Sequence, residues 1–209
     1  KRIERMVFMN IYLVRHGKQI GGTCNEDVEL SELGCKQADL TGQRLKKYDI
    51  DIIFCSHLIR AVKTAEVINR YTNVGIETRE ELQEISFGDM EGKDEQFIEI
   101  NFSKFYEKFN RNEEDVHYPN GECGEDVRKR AMKIIEEIKS KGYKNAVVVA
   151  HGGTIRSLIS GILGLGQERR VLIGLPFENC SISIIKYDSK GQKYYVHTVN
   201  DYSHLEELS

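Results

Sequence analysis

The pattern of hydrophobic and polar positions along the chain predicts three buried strands. Short apolar runs at residues 11–14, 52–55 and 146–150 are rich in β-branched residues and are bounded by polar residues or glycine. Runs of this length and composition are typical of strands that are covered on both faces, as in a parallel sheet.

Segments with helical periodicity lie between these runs. Apolar residues recur at helical spacing in two stripes, one at Leu58, Val62, Ala65 and Ile68 and the other at Val127, Ala131, Ile134 and Ile138. Further helices are predicted from residue 31 to about 47 and from residue 154 to about 163. Strands that alternate with helices of this length predict βαβ units and a mainly parallel sheet.

Two parts of the chain depart from this alternation. Residues 181–187 and 194–199 flank a polar segment with Gly191, which predicts an antiparallel hairpin or an addition to the sheet edge. The stretch at about 93–118 is charged and aromatic, which we interpret as a helical cap inserted over the sheet. The sequence therefore predicts one α/β domain over residues 1–209, a three-layer sandwich with a mainly parallel sheet, an antiparallel edge and a small helical cap.

Four aromatic residues in the cap recur at helical spacing: Phe102, Phe105, Tyr106 and Phe109. They could anchor the cap to the domain by packing against its core. Alternatively, some of them could line an entrance for a substrate. The periodicity alone leaves both interpretations open.

Composition narrows the class of protein. The 209 residues are 40% hydrophobic and 30% charged, with a formal net charge of -3, which argues against disorder and against a nucleic-acid or membrane-binding surface. The five cysteines are scattered singly, so we expect reduced packing residues in a cytoplasmic protein and no metal site. No apolar run approaches the roughly 18 residues of a membrane span, and the first ten residues lack the apolar stretch of a signal peptide.

Basic and imidazole side chains follow each of the three predicted strands. Arg15-His16-Gly17 comes after the first strand, Ser56 to Arg60 after the second, and His151-Gly152-Gly153 after the third, where it opens a helix. Ligands of open α/β sheets bind beyond the carboxyl ends of the parallel strands. Two arginines and two histidines are therefore expected to converge on one edge of the sheet, which is a site for a dianion.

Phosphate is the dianion that fits this chemistry. The guanidinium groups of Arg15 and Arg60 offer forked N–H donors that match phosphate oxygens. The helix that begins near Gly153 presents free backbone N–H groups, and the neighbouring glycines allow the backbone to approach the ligand closely. A neutral imidazole beside such a clamp is a competent nucleophile toward phosphorus, and a protonated one would stabilise negative charge on the phosphoryl oxygens.

Phosphoryl transfer to an imidazole also needs an acid that protonates the leaving oxygen. We expect Glu84 to serve, because Ile85 and Phe87 nearby could give its carboxyl a partly apolar pocket. Glu81 and Asp89 lie close in sequence and stay open as alternatives. The same carboxylate could then deprotonate the water that hydrolyses the phosphohistidine.

These motifs together resemble the histidine phosphatase superfamily, also called phosphoglycerate mutase-like. The matching segments are Arg15-His16-Gly17, Leu30-Ser31-Glu32-Leu33-Gly34 with Gln37-Ala38, Ser56 to Ala65 with Arg60, Leu82-x-Glu84-x-x-x-Gly88-x-x-Glu91-Gly92, Gly121-Glu122 with Arg130, and His151-Gly152-Gly153. They occur in the family's order across residues 10–158. A lone Arg-His-Gly would be weak support, whereas this ordered set is specific.

The resemblance implies a role for each candidate residue. His16 would be the nucleophile, Glu84 the proton donor, and His151 a further catalytic group. Arg15, Arg60, His16, His151 and Gly152 would bind the phosphoryl group. The reaction would need neither a metal nor a cofactor, and the substrate would be a small phosphorylated metabolite, as in the α-ribazole-type or broad-specificity phosphatases.

Two other functions on the same fold stay open, a phosphoglycerate mutase and an inactive phosphate-binding scaffold. Mutases of the family generally have an arginine directly after the acidic glutamate, where this chain has Ile85, so hydrolysis is favoured. Inactive relatives typically lack one of the five core groups, all of which are present here. A homodimer formed through the edge hairpin is a further open interpretation.

Several positions depart from the usual family pattern and leave the substrate open. His57 stands where many relatives have proline, Cys123 stands where serine is usual, and Lys18 replaces a commoner acidic residue. Glu122 and Arg130 are interpreted as lying outside the core site. The remaining histidines, His117, His197 and His204, are expected at the surface or in packing.

Overall fold

A computed structural model describes residues 8–174 and 176–208, and these form a six-stranded sheet. The strands are β1 (Phe8–Arg15), β2 (Ile52–Ser56), β3 (Gly75–Arg79), β4 (Asn145–Ala150), β5 (Ile182–Asp188) and β6 (Lys193–Asp201), in the spatial order β3-β2-β4-β1-β5-β6. The first four run parallel, whereas β5 is antiparallel to β1 and β6 is antiparallel to β5. The predicted strands and the antiparallel edge are thus confirmed.

The helices cover both faces of this sheet. They are α1 (Glu32–Leu45), α2 (Ile59–Thr72), α3 (Glu95–Asn101), α4 (Ser103–Phe109), α5 (Gly124–Ser140) and α6 (Gly152–Ile162). In β1, Tyr12 and Val14 pack with residues of α1 and α2, whereas Ile11 and Leu13 pack with residues of α5 and α6. Because alternate side chains of a strand point to opposite faces, both faces of β1 are apolar, and the predicted three-layer sandwich is confirmed.

Local sequence signals set where the helices begin. Ser31 caps α1, since its Oγ accepts a hydrogen bond from the Gly34 N–H at 3.1 Å. Helix α2 begins one residue after Leu58, and α6 begins at Gly152, two residues before the predicted start. Among the described residues, none of the helices is both long and apolar enough to cross a membrane.

Strand β3 was missed by the sequence interpretation. Its sequence, Gly-Ile-Glu-Thr-Arg, has neither an apolar run nor a clear alternation, and none of its five residues is buried. It pairs in parallel with β2 along the sheet edge, where Ile52 lies opposite Gly75. An edge strand that buries so little apolar surface leaves a weak periodic signal.

The cap consists of two short helices, α3 and α4, rather than one long helix. Phe102, Phe105, Tyr106 and Phe109 are partly buried against a cluster that contains Ile85, Met90, Tyr118 and Val127. The rings of Phe105 and Tyr118 lie 4.9 Å apart between centroids, so the aromatic residues do anchor the cap. Phe109 also lines a cavity at the sheet edge.

Candidate active site

The carboxyl ends of β1 and β4 bring two histidines together. Arg15 and Ala150, the last residues of the two strands, are paired in register, and the next residues are His16 and His151. Their imidazole ring centroids lie 5.0 Å apart. The His16 N–H donates to the Ala150 carbonyl at 2.9 Å, which ties the segment after β1 to the end of β4.

The imidazole of His16 is held in one tautomer. Its Nδ1 lies 2.8 Å from the Gly17 carbonyl oxygen, which can only accept, so Nδ1 carries the proton and Nε2 keeps its lone pair. The Gly17 N–H donates to Thr64 Oγ1 at 3.0 Å. A Cβ at Gly17 would lie 2.6 Å from the Gly34 carbonyl oxygen, so only glycine fits this turn.

Burial and neighbouring cations keep both imidazoles neutral. Burial, and then the charges of Arg15 and Arg60, lower the pKa of His16 to about 3. Burial, followed by His16 and the same arginines, also lowers the pKa of His151 well below its usual value. A bound dianion would raise both pKa values, because an opposite charge nearby favours the protonated imidazole. Neither ring nitrogen of His151 has a hydrogen-bond partner among the described residues.

Both arginines keep a buried donor without an acceptor in the described structure. Arg15 donates from Nη1 to the Phe177 carbonyl, and Arg60 donates from Nη2 to Asn25 Oδ1 at 2.8 Å. The Nε atoms of both arginines are buried and have no hydrogen-bond partner in the described part of the chain. Because an unsatisfied buried donor costs about 1–3 kcal/mol, an anion that accepted these N–H groups would be bound favourably.

The side chain of Glu84 lies beside the N-terminus of α6, at the edge of the sheet where the two histidines meet. Its Oε1 accepts from the Ile85 N–H at 2.9 Å, and its Oε2 accepts from the Gly153 N–H at 3.3 Å. A Cβ at Gly153 would lie 2.5 Å from Oε1, so a side chain there would displace the carboxylate. Glu81 and Asp89, the two alternatives to Glu84, do not line the cavity at this edge.

That cavity has a volume of about 530 Å³. Arg15, Glu84 and Gly152 of the sequence-predicted site line it, together with Gly153 and residues of the cap and of the segment after α6. His16, Arg60 and His151 are buried and are not among its described lining residues. The cavity therefore offers a leaving group room beside Glu84.

Arg130 and Glu122, which the sequence interpretation left outside the site, hold the Glu84 segment in place. Arg130 donates to the backbone carbonyls of Gln83 at 2.8 Å and Glu84 at 3.0 Å, and also to that of Glu81. Both carboxylate oxygens of Glu122 accept from Arg130, and Oε2 also accepts from the Ser86 N–H at 2.9 Å. This network fixes the backbone on both sides of Glu84.

Replacing Arg130 by methionine is expected to lower kcat about 10- to 100-fold and leave KM nearly unchanged, because Glu84 loses its support while Arg15, Arg60 and the two histidines stay in place. The unsatisfied carbonyls should also lower the free energy of unfolding by about 1–3 kcal/mol. Steady-state kinetics and urea unfolding measure the two effects. Arg128→Met on the same helix is the matched control, since the Arg128 side chain binds Glu125. An equal loss of kcat in both variants would contradict the positioning role.

Asn25 and His204 also make hydrogen bonds with buried or half-buried neighbours. Asn25 links Arg60 to Glu91, because its Nδ2 donates to Glu91 Oε1 at 3.1 Å while its Oδ1 accepts from Arg60. His204 is a packing residue, as expected, with Nε2 lying 2.9 Å from Thr41 Oγ1. Burial, and then the charge of Arg44, lowers the pKa of His204 to about 4.

One group of potential metal ligands occurs among the described residues, away from the lining of the cavity. His117, Cys123 and Asp126 each place a ligand atom within 4.8 Å of the others. The Cys123 Sγ–H donates to Asp126 Oδ2 at 3.3 Å, and the two residues cap the start of α5. Burial raises the pKa of the Cys123 thiol to about 11, so it is protonated at neutral pH and serves as a helix cap.

Comparison with known proteins extends over nearly the whole chain. Residues 11–201 match the profile of the histidine phosphatase superfamily (branch 1). The putative phosphoserine phosphatase 2 of Hydrogenobacter thermophilus is 30% identical over 207 residues, which cover 95% of this chain and 98% of that protein. The probable phosphoglycerate mutase GpmB of Erwinia tasmaniensis is 28% identical over 212 residues, covering 96% and 97%. A mutant phosphoserine phosphatase of Entamoeba histolytica, solved with phosphoserine, superposes with a TM-score of 0.79 at 27% identity, covering 94% of this chain and 99% of that one.

Proposed function

The chain belongs to the histidine phosphatase superfamily (branch 1), and we propose that it hydrolyses the phosphate monoester of a small metabolite through a phosphohistidine on His16. The observation that carries this proposal is the hydrogen bond between His16 Nδ1 and the Gly17 carbonyl. It leaves the Nε2 lone pair of a neutral imidazole as the nucleophile, beside two arginines whose Nε–H donors have no partner in the described part of the chain.

In the first half of the reaction the phosphoryl group moves from the ester oxygen to His16. Nε2 attacks phosphorus in line with the leaving oxygen, and a P–N bond forms while the P–O bond breaks. Arg15, Arg60 and the Gly152 N–H at the start of α6 bind the phosphoryl oxygens. Protonated Glu84 gives its proton to the leaving oxygen, which departs into the cavity as an alcohol.

In the second half water hydrolyses the phosphohistidine. Glu84, now a carboxylate, takes a proton from the water, whose oxygen attacks phosphorus as the P–N bond breaks. His16 regains its neutral form, and phosphate leaves. His151, once the dianion has raised its pKa, donates a hydrogen bond to a phosphoryl oxygen in both steps.

Hydrolysis is expected to proceed at an unchanged rate in EDTA, because the two arginines supply the positive charge that a metal supplies in other phosphatases. Phosphate release from a panel of phosphate monoesters, measured with and without EDTA, tests this. Activity that EDTA abolishes and a divalent cation restores would contradict the proposed chemistry.

Mutase activity is a second candidate, because the relative from Erwinia tasmaniensis is described as a probable phosphoglycerate mutase. A mutase would return the phosphoryl group from His16 to another hydroxyl of the same acid. Incubation with 3-phosphoglycerate distinguishes the two activities, since hydrolysis yields glycerate and phosphate, whereas a mutase yields 2-phosphoglycerate. Ile85 follows Glu84 directly and lines the cavity with an apolar side chain, which favours hydrolysis.

A further inference from the structure

We infer that the substrate carries a second anionic group and that Arg156 binds it in the cavity beside the phosphoryl site. The inference rests on the proposed function and narrows its substrate class. The candidate ligand chemistry is a phosphate monoester with a carboxylate or a second phosphate a few bonds from the ester.

Arg156 lies one helical turn after Gly152 on α6 and lines the same cavity as Arg15 and Glu84. Its guanidinium is fixed, because Nε donates to the Ile173 carbonyl at 3.0 Å and Nη2 donates to the Gly174 carbonyl at 2.6 Å. The guanidinium carbon also lies 5.4 Å from the centre of the Phe177 ring. A guanidinium held in this way loses little conformational entropy when its remaining N–H groups bind an anion.

The positive charge of Arg156 has no carboxylate partner within 4 Å among residues 8–174 and 176–208. Arg170, which also lines this cavity and was also missed by the sequence interpretation, does have a carboxylate partner. Arg170 Nη1 binds Asp115 Oδ1 at 2.7 Å, so its charge is neutralised within the protein. A half-buried cation without a partner is costly, and a ligand anion would compensate it.

Gly152 and Arg156 share one face of α6. They are four residues apart, which is about 6 Å along a helix axis, and residues at this spacing lie on the same side of a helix. A second anion bound at Arg156 would therefore lie beside phosphoryl oxygens bound at Gly152. Phe109 and Tyr118 line the same cavity, so its remaining wall offers aromatic contacts.

Matched pairs of esters test the inference on the wild-type enzyme. 3-Phosphoglycerate and glycerol 3-phosphate differ only by a carboxylate in place of a hydroxymethyl group, and phosphoserine differs from phosphoethanolamine by its carboxylate. Glycerol 1,3-bisphosphate and glycerol 3-phosphate form the pair for a second phosphate. We expect kcat/KM to be about 10- to 100-fold higher for the ester with the second anion in at least one pair. The pair that shows this preference identifies the second anion as a carboxylate or a phosphate.

The variant Arg156→Gln is expected to lower that preference about 10- to 100-fold, measured as the ratio of kcat/KM within the pair. Arg169→Gln is the matched control, since it removes the same charge from a neighbouring side chain that is 65% exposed. We expect the control to retain the wild-type ratio. If Arg156→Gln does not fold, the wild-type ratios still decide whether the enzyme prefers a second anion.

Wild-type turnover without preference for a doubly anionic ester would overturn the inference and leave the proposed function standing. A preference that survives in Arg156→Gln would overturn the role of Arg156. Absence of turnover for every ester, in wild-type protein that is folded, would instead overturn the proposed function itself.

Discussion

Replacing His16 by alanine is expected to lower kcat for phosphate release by about 10⁴-fold or more. The proposed covalent route depends on one atom, the Nε2 lone pair of His16, and among the two neutral imidazoles of the described site only that of His16 has its tautomer fixed by a hydrogen bond. His151 lies close, with its ring centroid 5.0 Å from that of His16, yet it follows β4 and approaches the anion from another strand. Water alone attacks a phosphate monoester far more slowly than an imidazole held in line does.

Two measurements check this expectation. The first is p-nitrophenyl phosphate hydrolysis in EDTA by the wild type, by His16→Ala and by His197→Ala, whose exposed imidazole on β6 makes it the control. The second is trapping of phosphoenzyme with a ³²P-labelled ester, where a phosphohistidine is stable to base and labile to acid. Label that remains in His16→Ala, or equal rates in all three proteins, would show that the nucleophile is another residue.

The sequence predicts best those segments in which a buried apolar strand is followed directly by reactive side chains. The strands β1, β2 and β4 are apolar on both faces, so their runs are plain in the sequence, and parallel strands bring their carboxyl ends to one edge. That rule alone placed Arg15, His16 and His151 together. The structure also brings Glu84 to that edge, through the hydrogen bond that its Oε2 accepts from Gly153.

Residues that act through long-range hydrogen bonds could not be predicted in the same way. Arg130 lies on α5, 46 residues from Glu84, and its role depends on which loop packs beside that helix. The position of Arg130 in the apolar pattern of α5 would be the same whether its side chain faced solvent or bound backbone carbonyls. The pattern therefore gives no sign of this role. Arg156 left a stronger signal, because it lies inside the helix that was predicted to begin at residue 154, directly after the His151-Gly152-Gly153 segment.

Replacing Glu84 by glutamine is expected to lower kcat by about 10²- to 10⁴-fold for esters of alkyl alcohols such as phosphoserine. Glutamine has the same shape as glutamate, and its amide oxygen can still accept from the Ile85 or Gly153 N–H. It cannot donate a carboxylic proton to an alkoxide. Attack by His16 on an alkyl ester should therefore be slow, and no phosphoenzyme should accumulate.

With p-nitrophenyl phosphate the same variant should behave differently. The p-nitrophenolate ion is a weak base that leaves without protonation, so phosphorylation of His16 should stay fast. Hydrolysis of the phosphohistidine still needs a base, and glutamine cannot accept the proton from water. A stopped-flow trace of Glu84→Gln should thus show a burst of about one p-nitrophenol per enzyme, followed by slow turnover.

Glu81→Gln is the matched control for this experiment, because it makes the same change three residues earlier, outside the lining of the cavity. We expect wild-type rates and no burst from it. A burst with Glu81→Gln but not with Glu84→Gln would transfer the acid–base role to Glu81. Equal slowing of alkyl and p-nitrophenyl esters in Glu84→Gln, without a burst, would mean that Glu84 positions the phosphoryl group rather than moving a proton, since only the alkyl ester needs a proton donor for its leaving group.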